Sequence, residues 1–195
     1  MSIARSLSFA TALAFASAAF AQTPSPEHVL SSVTLSFGDT GDADRAVLVE
    51  NGDAGADLYI FLAPPGPLDD AGKRAPPAKP VLLKTNAAWN GQLWGTRPTL
   101  EVSGKGSLLI KSENTGIGRS HWEQTLTVVY RNKEFVVAGL TYAAYDTLDP
   151  KANGSCDLNF LSGKGKRNGK PVDLKTAAPK LADWSNDKLP KECEF

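Results

Sequence analysis

One short stretch of the sequence holds most of the side chains that could carry out chemistry. The segment SENTGIGRSHWEQ, residues 112–124, contains Glu113, Arg119, His121 and Glu123 just ahead of a strand-like pattern. A histidine close to two carboxylates and an arginine could catalyse acid–base hydrolysis of a sugar or an ester. No nucleophile elbow, zinc-protease helix or phosphate loop accompanies them. The alternative is that Arg119 pairs with one of the two glutamates and that His121 is an ordinary surface residue.

The same segment is also a candidate binding surface without catalysis. Asn114, Arg119 and His121 belong to the loop and its edge, and Tyr142 and Tyr145 follow on a later strand pattern. Aromatic and arginine side chains are the usual anchors of binding interfaces. This hypothesis makes the protein a binding or envelope-associated module with an unknown protein or glycan partner in the cell envelope. The alternative hypothesis is a small hydrolase that acts on envelope glycans through Glu113 or Glu123 with His121.

A third group of residues could bind a cation. Asp39, Asp42 and Asp44 lie close together, and Ca²⁺ favours several oxygen ligands. Residues 36–61 show a local similarity to an FG-GAP or VCBS-type propeller blade, which implies a calcium loop at these aspartates. Arg45 stands where that loop has a glycine, and the chain is too short for a propeller. The alternative is a polar loop with Asx turns. No cofactor other than this calcium ion is predicted.

The elements that must position these residues are β-strands. Short apolar runs bounded by Gly, Asn, Asp or Pro are typical of strands, and Asn-Gly pairs favour tight turns. Residues 63–80 contain six prolines and are predicted to be a Pro-rich loop. Only residues 26–32 and 178–186 favour a helical turn. The predicted strands are 33–37, 45–50, 57–63, 80–84, 99–103 and 107–111.

The clearest pattern is a long hairpin with a two-residue turn at Asn132 and Lys133. Alternation along its first strand predicts a core face made of Trp122, Gln124, Leu126, Val128 and Tyr130. Tyr142 is then predicted on the reverse face, and Gly139, opposite Leu126, permits a bulge. Glycine in mid-strand favours coiling. The predicted fold is mainly β: a single antiparallel β-barrel, or a strongly coiled sheet or sandwich, with long loops and little helix.

The start of the chain predicts export. Residues 1–21 have one early positive charge, an Ala-rich apolar stretch and an Ala-x-Ala site, which is typical of a secretory signal peptide. Residues 22–195 are then expected to form a single β-rich domain that is periplasmic or secreted, with no membrane span after cleavage. Lys and Arg together number 21, as do Asp and Glu, so no global charge would attract nucleic acid. The basic run at 164–170 is predicted to be a solvated turn.

The two cysteines, Cys156 and Cys193, predict a structural disulfide. An isolated pair in an oxidising compartment usually forms one, and the sequence has no C-x-x-C motif and only two histidines. The bond would tie a tail of residues 176–195 back onto the sheet. The segments at 107–150 (SLLIKSENTGIGRSHWEQTLTVVYRNKEFVVAGLTYAAYDTLDP) and 156–172 (CDLNFLSGKGKRNGKPV) resemble an uncharacterised family of secreted or periplasmic proteobacterial proteins. That resemblance implies no activity.

Overall fold

The structure is a computed structural model whose described residues are 25–38, 43–52, 54–64, 66, 70–72, 79–175 and 177–195. Within these ranges the chain forms eleven strands, five short 3₁₀ turns and no α-helix. The predicted signal peptide lies outside the described residues. Within them, no helix has the length and apolar character needed to cross a membrane.

The strands form two antiparallel sheets, each of which follows the chain order. The smaller sheet contains β1 (Val29–Leu35), β2 (Asp44–Glu50), β3 (Gly55–Phe61) and β4 (Leu82–Trp89). The larger sheet contains β5 (Thr99–Val102), β6 (Leu108–Asn114), β7 (Ser120–Arg131), β8 (Glu134–Asp146), β9 (Gly154–Asn159), β10 (Lys164–Arg167) and β11 (Lys170–Asp173). The 3₁₀ turns are Pro26–His28, Gln92–Trp94, Pro150–Ala152, Leu181–Asp183 and Lys191–Cys193.

The two sheets pack face to face around one apolar core. Alternate residues of β2, β3, β6, β7 and β8 point inward, as the two-residue period of a strand requires. On one side the sheets come together where Leu100 of β5 donates its backbone N–H to the Ser31 hydroxyl of β1, at 3.0 Å. The side chains at the centre of this core are Leu48, Leu58, Ile60, Leu108, Ile110, Leu126, Val128, Val137, Leu140 and Leu158.

The tail, residues 177–195, packs across the other side of the sandwich. Val137 of β8 donates its backbone N–H to the Pro179 carbonyl at 2.9 Å. Leu181 and Trp184 are buried in the core, and the Trp184 ring lies 6.1 Å from that of Phe160. The tail also reaches β4, because Asn186 donates to the Asn86 carbonyl at 2.7 Å. The tail therefore contacts both sheets.

The predicted Cys156–Cys193 disulfide is confirmed. Cys156 lies on β9 and Cys193 in the last 3₁₀ turn of the tail, with their Cα atoms 5.3 Å apart. Both residues are almost fully buried. The bond joins the end of the tail to the larger sheet.

The long hairpin, β7 and β8, forms with the predicted turn. Asn132 and Lys133 both have positive φ, and Arg131 pairs with Glu134. Near the turn the predicted register holds, but it shifts between Val128 and Thr127, where Ala138 of β8 is an extra residue. This bulge moves every later residue of β8 to the other face.

The shift changes the face on which one predicted binding residue lies. Tyr142 was expected on the reverse face, yet it lies on the core face, where its ring stacks on that of Trp122 with centroids 6.3 Å apart. Gly139 faces Thr127 instead of Leu126. The core stripe predicted for β7 is correct, and Trp122 and Tyr130 at its two ends are half-buried.

The mainly β architecture with little helix is confirmed, in the form of a sandwich; within the described residues the sheets do not close into a barrel. Two local predictions hold only in part. Only residues 26–28 of the expected helical turn at 26–32 are helical, since β1 begins at Val29 and pairs with β2. The basic run at 164–170 is not a simple turn; it spans β10, an Asn168–Gly169 turn and the first residue of β11.

Candidate functional site

The two candidate catalytic glutamates lie side by side on the outer face of the larger sheet. Glu113 of β6 and Glu123 of β7 are direct cross-strand partners. Their neighbours Ser112 and Gln124 point into the core, so strand alternation sends both carboxylates outward. Neither carboxylate forms an ion pair or a side-chain hydrogen bond within the described part of the chain. The pair is therefore set on a strand surface and lines none of the clefts described below.

His121 and Tyr145 form a contact pair near the same end of the hairpin. The Nδ1 atom of His121 lies 2.9 Å from the Tyr145 hydroxyl, and Nε2 lies 3.0 Å from the Gly118 carbonyl. A carbonyl can only accept, so Nε2 carries the proton, and in the neutral ring Nδ1 accepts from the Tyr145 hydroxyl. Both ring nitrogens of His121 are thus occupied by partners within the chain.

Arg119 pairs with neither glutamate, which corrects the expected ion pair. Its Nε atom donates to the Asp146 carboxylate at 2.7 Å. This hydrogen bond, together with backbone N–H groups from Leu148 and Asp149, lowers the pKa of Asp146 below its usual value. The pair therefore joins the loop between β6 and β7 to the end of β8.

Asn114 holds the loop between β6 and β7. Its side-chain amide donates to the carbonyls of Ile117 and Ser120, and its oxygen accepts the Ile117 N–H at 3.1 Å. This is an Asx-type turn, in which the side chain replaces a backbone partner. The predicted binding loop is consequently well ordered by its own hydrogen bonds.

Of the three candidate calcium ligands, Asp39 and Asp42 lie outside the described residues. Asp44 is buried, and its carboxylate accepts the backbone N–H groups of Phe37 and Ala63, both at 2.8 Å. It links the end of β1 to the residues that follow β3. No group of three or more metal-ligating side chains comes together within the described residues.

A row of aromatic rings, which the sequence did not reveal, crosses one end of the sandwich. Trp94 stacks on Trp89 at 6.0 Å, Trp89 meets the edge of Trp122 at 5.6 Å, and Trp122 stacks on Tyr142. Tyr142 then stacks on Phe195 at 6.4 Å. We call these five residues the aromatic row. Its two end rings are exposed, Trp94 by 44% and Phe195 by 41%, whereas the three central rings are half-buried.

Glycines allow these rings to pack closely against the backbone. A Cβ atom on Gly91 would lie 2.3 Å from the Trp89 ring, and one on Gly154 would lie 2.1 Å from the Phe195 ring. Both distances are shorter than real contacts, so only glycine admits the rings in these positions. The Arg167 guanidinium lies over the Phe195 ring, 5.4 Å from its centre.

Three adjoining clefts follow the aromatic row from Trp89 to Phe195, and together we call them the aromatic groove. The first, of about 360 Å³, lies between β4 and the tail. The central one, of about 220 Å³, shares Trp89, Asn186 and Asp187 with the first. The third, of about 390 Å³, shares Trp122 and Tyr142 with the central cleft and ends at Phe195. The tail forms one wall along the whole groove.

The central cleft contains polar groups that have no partner within the described residues. Ser112 is 6% exposed and makes no side-chain hydrogen bond, and neither do the Tyr142 hydroxyl and the Asp187 carboxylate. Gln124 donates to Asn186 at 3.1 Å, but its side-chain oxygen has no donor. No polar side-chain atom in these residues is both fully enclosed and unpaired, so these atoms reach the open cleft. Partial burial raises the pKa of Tyr142, which keeps the phenol neutral.

A larger hollow of about 670 Å³ lies on the far side of the tail. Its floor is formed by Phe160 and Trp184, which pack against each other, and its rim carries charges of both signs such as Asp183 and Lys188. It contains no part of the aromatic row. We therefore take the aromatic groove as the functional site.

Comparison with known proteins identifies no relative of this chain. No family model matches it, and no curated protein or solved structure matches it at a significant level. The groove itself is therefore the best guide to the function.

Proposed function

We propose that this protein is an exported, non-catalytic binding module of the cell envelope, and that its ligand binds in the aromatic groove. The observation that carries the proposal is the central cleft, where half-buried aromatic rings stand beside unpaired polar groups. Ligand sites are concave and largely aromatic, with a few polar groups that fix orientation. The Ser112 hydroxyl has no partner in the described residues but reaches the cleft, so a ligand hydroxyl can take the place of water there.

Binding is favoured over catalysis by where the titratable residues lie. Glu113 and Glu123 are on the opposite face of the larger sheet from the groove, and both nitrogens of His121 already have partners. A hydrolase acting through these three residues remains a prediction. Its test is whether Glu113→Gln or Glu123→Gln abolishes a measurable glycan-cleaving activity in a protein that stays folded.

The binding proposal is tested with immobilised protein, residues 22–195, and a solubilised bacterial envelope fraction. Wild-type protein should retain a component that Phe195→Ala protein does not. Phe195 lines the third cleft and is about 41% exposed, so its loss should shift the thermal unfolding curve only slightly. Leu83→Ala is the matched control, because Leu83 is also about 41% exposed but lines none of these clefts. Equal retention by wild type and Phe195→Ala would contradict the proposal.

Export is tested separately. The periplasmic protein should begin at Gln22, after the Ala-x-Ala site, and N-terminal sequencing measures this directly. A periplasmic protein that begins at Met1, or an absence of the protein from that compartment, would contradict it.

A further inference from the structure

We infer that the ligand of the aromatic groove is a neutral glycan, with one sugar ring held in the central cleft between the aromatic row and the tail. This inference rests on the proposed binding function. It concerns the chemical class of the ligand. If the groove binds a ligand of another class, this inference fails and the binding proposal does not.

The aromatic surfaces match the apolar faces of sugar rings. The face of an aromatic ring carries a partial negative charge, and the axial C–H groups of a pyranose present a weakly positive apolar face to it. Trp122 and Tyr142 stack on each other with centroids 6.3 Å apart, which is an offset stack that leaves part of each ring face open. Both residues line the central and the third cleft, so a chain of sugar units could follow the row toward Phe195. Trp94 at the opposite end offers a further exposed ring. An extended chain of rings fits such a row better than a single compact ligand does.

The polar groups of the central cleft match hydroxyl groups. Ser112 and Tyr142 can each donate and accept, the free oxygens of Gln124 and Asp187 only accept, and the Trp122 indole N–H only donates. A sugar hydroxyl both donates and accepts, so it can satisfy any of these groups. Asn186 holds the Gln124 amide in place by accepting its N–H, and it also accepts the Trp184 indole N–H at 3.1 Å. The Gln124 oxygen is thereby set in a fixed direction before the ligand arrives.

The charges in the groove argue against an anionic ligand. Among the described residues, Asp187 is the only charged residue that lines the central cleft. Lys84 lines the first cleft and not the central one. In the third cleft Asp146 is paired with Arg119, and Glu194 adds a further carboxylate. A phosphate or uronate in the central cleft would meet a carboxylate and no cation. A neutral chain avoids this repulsion.

The central cleft offers little of the feature that extended peptides use most often. Peptides commonly add a strand to a free sheet edge, where backbone groups supply the hydrogen bonds. The central cleft is walled by side chains of β6, β7 and β8, which are interior to the larger sheet, by the tail, and by Trp89 at the end of β4. β4 is an edge strand and lines the first cleft, but the tail already occupies one of its backbone groups there, since Asn186 donates to the Asn86 carbonyl. A proline-rich peptide that packs on aromatic side chains is the peptide mode that suits the groove, and the experiment below includes it.

The test is a titration of residues 22–195 with chemically defined probes, followed by tryptophan fluorescence and calorimetry. The panel contains short neutral oligomers of glucose, mannose, galactose and N-acetylglucosamine, an oligogalacturonate, and a proline-rich peptide. At least one neutral oligosaccharide should bind, and the oligogalacturonate and the peptide should not. Longer oligomers of the active sugar should bind more tightly until the row is filled.

Two variants locate the binding. Tyr142→Phe and Ser112→Ala each remove one hydroxyl. Each should raise the dissociation constant of the neutral oligosaccharide by about two- to tenfold, as the loss of one hydrogen bond implies. Tyr130→Phe is the control for the same change. Tyr130 lies at the other end of β7, lines none of the clefts, and should leave the dissociation constant unchanged.

The outcomes separate this inference from the binding proposal. Binding of only the anionic oligomer or the peptide, with sensitivity to Tyr142→Phe, would overturn the neutral glycan while leaving the groove as the binding site. If a neutral oligosaccharide binds but neither variant changes its dissociation constant, the sugar binds elsewhere and the inference is overturned. If no neutral oligosaccharide binds, the inference also fails, and retention of the envelope fraction still decides the binding proposal by itself.

Discussion

Gly154→Ala tests whether the position of one aromatic ring matters without removing that ring. The new Cβ would lie 2.1–2.6 Å from three carbon atoms of the Phe195 ring. Because Phe195 is 41% exposed, its ring can turn toward solvent while β9 stays in place. The substitution should therefore break the stack on Tyr142 and open the third cleft at that end.

The expected effect on stability is small because two contributions oppose each other. A stacked aromatic pair contributes about 0.5–1.5 kcal/mol beyond its buried area, and this is lost. Gly154 does not have a positive φ, so alanine fits its backbone and should restore about 0.4–1 kcal/mol by restricting the unfolded chain. The free energy of unfolding should change by about 1 kcal/mol or less, which corresponds to at most about 4 °C in Tm for a chain of this length.

The assay is thermal unfolding followed by circular dichroism, together with binding of the envelope fraction or the active oligosaccharide. Gly104→Ala is the control, because Gly104 has ordinary φ and a Cβ there would meet nothing within 4 Å. We expect weaker binding for Gly154→Ala and unchanged binding for Gly104→Ala, with similar Tm values. A loss of several kcal/mol in Gly154→Ala would show that the ring cannot move. Unchanged binding would show that Phe195 is not part of the site.

Three further predictions concern the scaffold. Cys193→Ser should lower the free energy of unfolding by about 4 kcal/mol in urea titrations, since the bond closes a loop of 37 residues; an unchanged midpoint would contradict this. Asp44→Ala should cost about 3 kcal/mol because two backbone N–H groups lose a charged acceptor. If Asp44 instead binds calcium, EDTA should reproduce that loss in the wild type. The lowered pKa of Asp146 means that its pairing with Arg119 stabilises the fold above the ordinary carboxyl pKa of about 3.9 and is lost as pH falls through the lower folded value. The stability difference between wild type and Arg119→Ala should therefore be largest near neutral pH and shrink below about pH 4; a constant difference would refute it.

The sequence specified the turn of the long hairpin but not the side of the sheet on which its later residues lie. Four polar residues, 131–134, separate two long apolar patterns, and a two-residue turn at their centre falls on Asn132 and Lys133. The bulge is different, because Val136, Val137 and Ala138 are all apolar and alternation does not show which of them is extra. One inserted residue reverses every later side chain, and this is why Tyr142 was placed on the wrong face.

The aromatic groove could not be read from the sequence because its rings come from separate elements. Trp89 ends β4, Trp94 lies in the next 3₁₀ turn, Trp122 begins the core stripe of β7, Tyr142 is on β8, and Phe195 is in the tail. Their contacts depend on how the two sheets pack, which no local pattern encodes. One signal was present, since the predicted disulfide already required the tail to return to the larger sheet. Phe195, two residues after Cys193, had to come with it.

The disulfide thereby connects the stability of the fold to the shape of the site. Cys193 is fixed to β9, so Phe195 is held beside Gly154 and Tyr142, and Asp187 and Asn186 are held across the central cleft. A wall that is ordered before the ligand binds costs no ordering entropy at the moment of binding. Loss of the disulfide should therefore weaken binding and stability together, whereas Gly154→Ala should weaken binding alone. If Cys193→Ser protein that is still folded bound as tightly as the wild type, the tail would not be a wall of the site, and the groove would have to be formed by the two sheets without it.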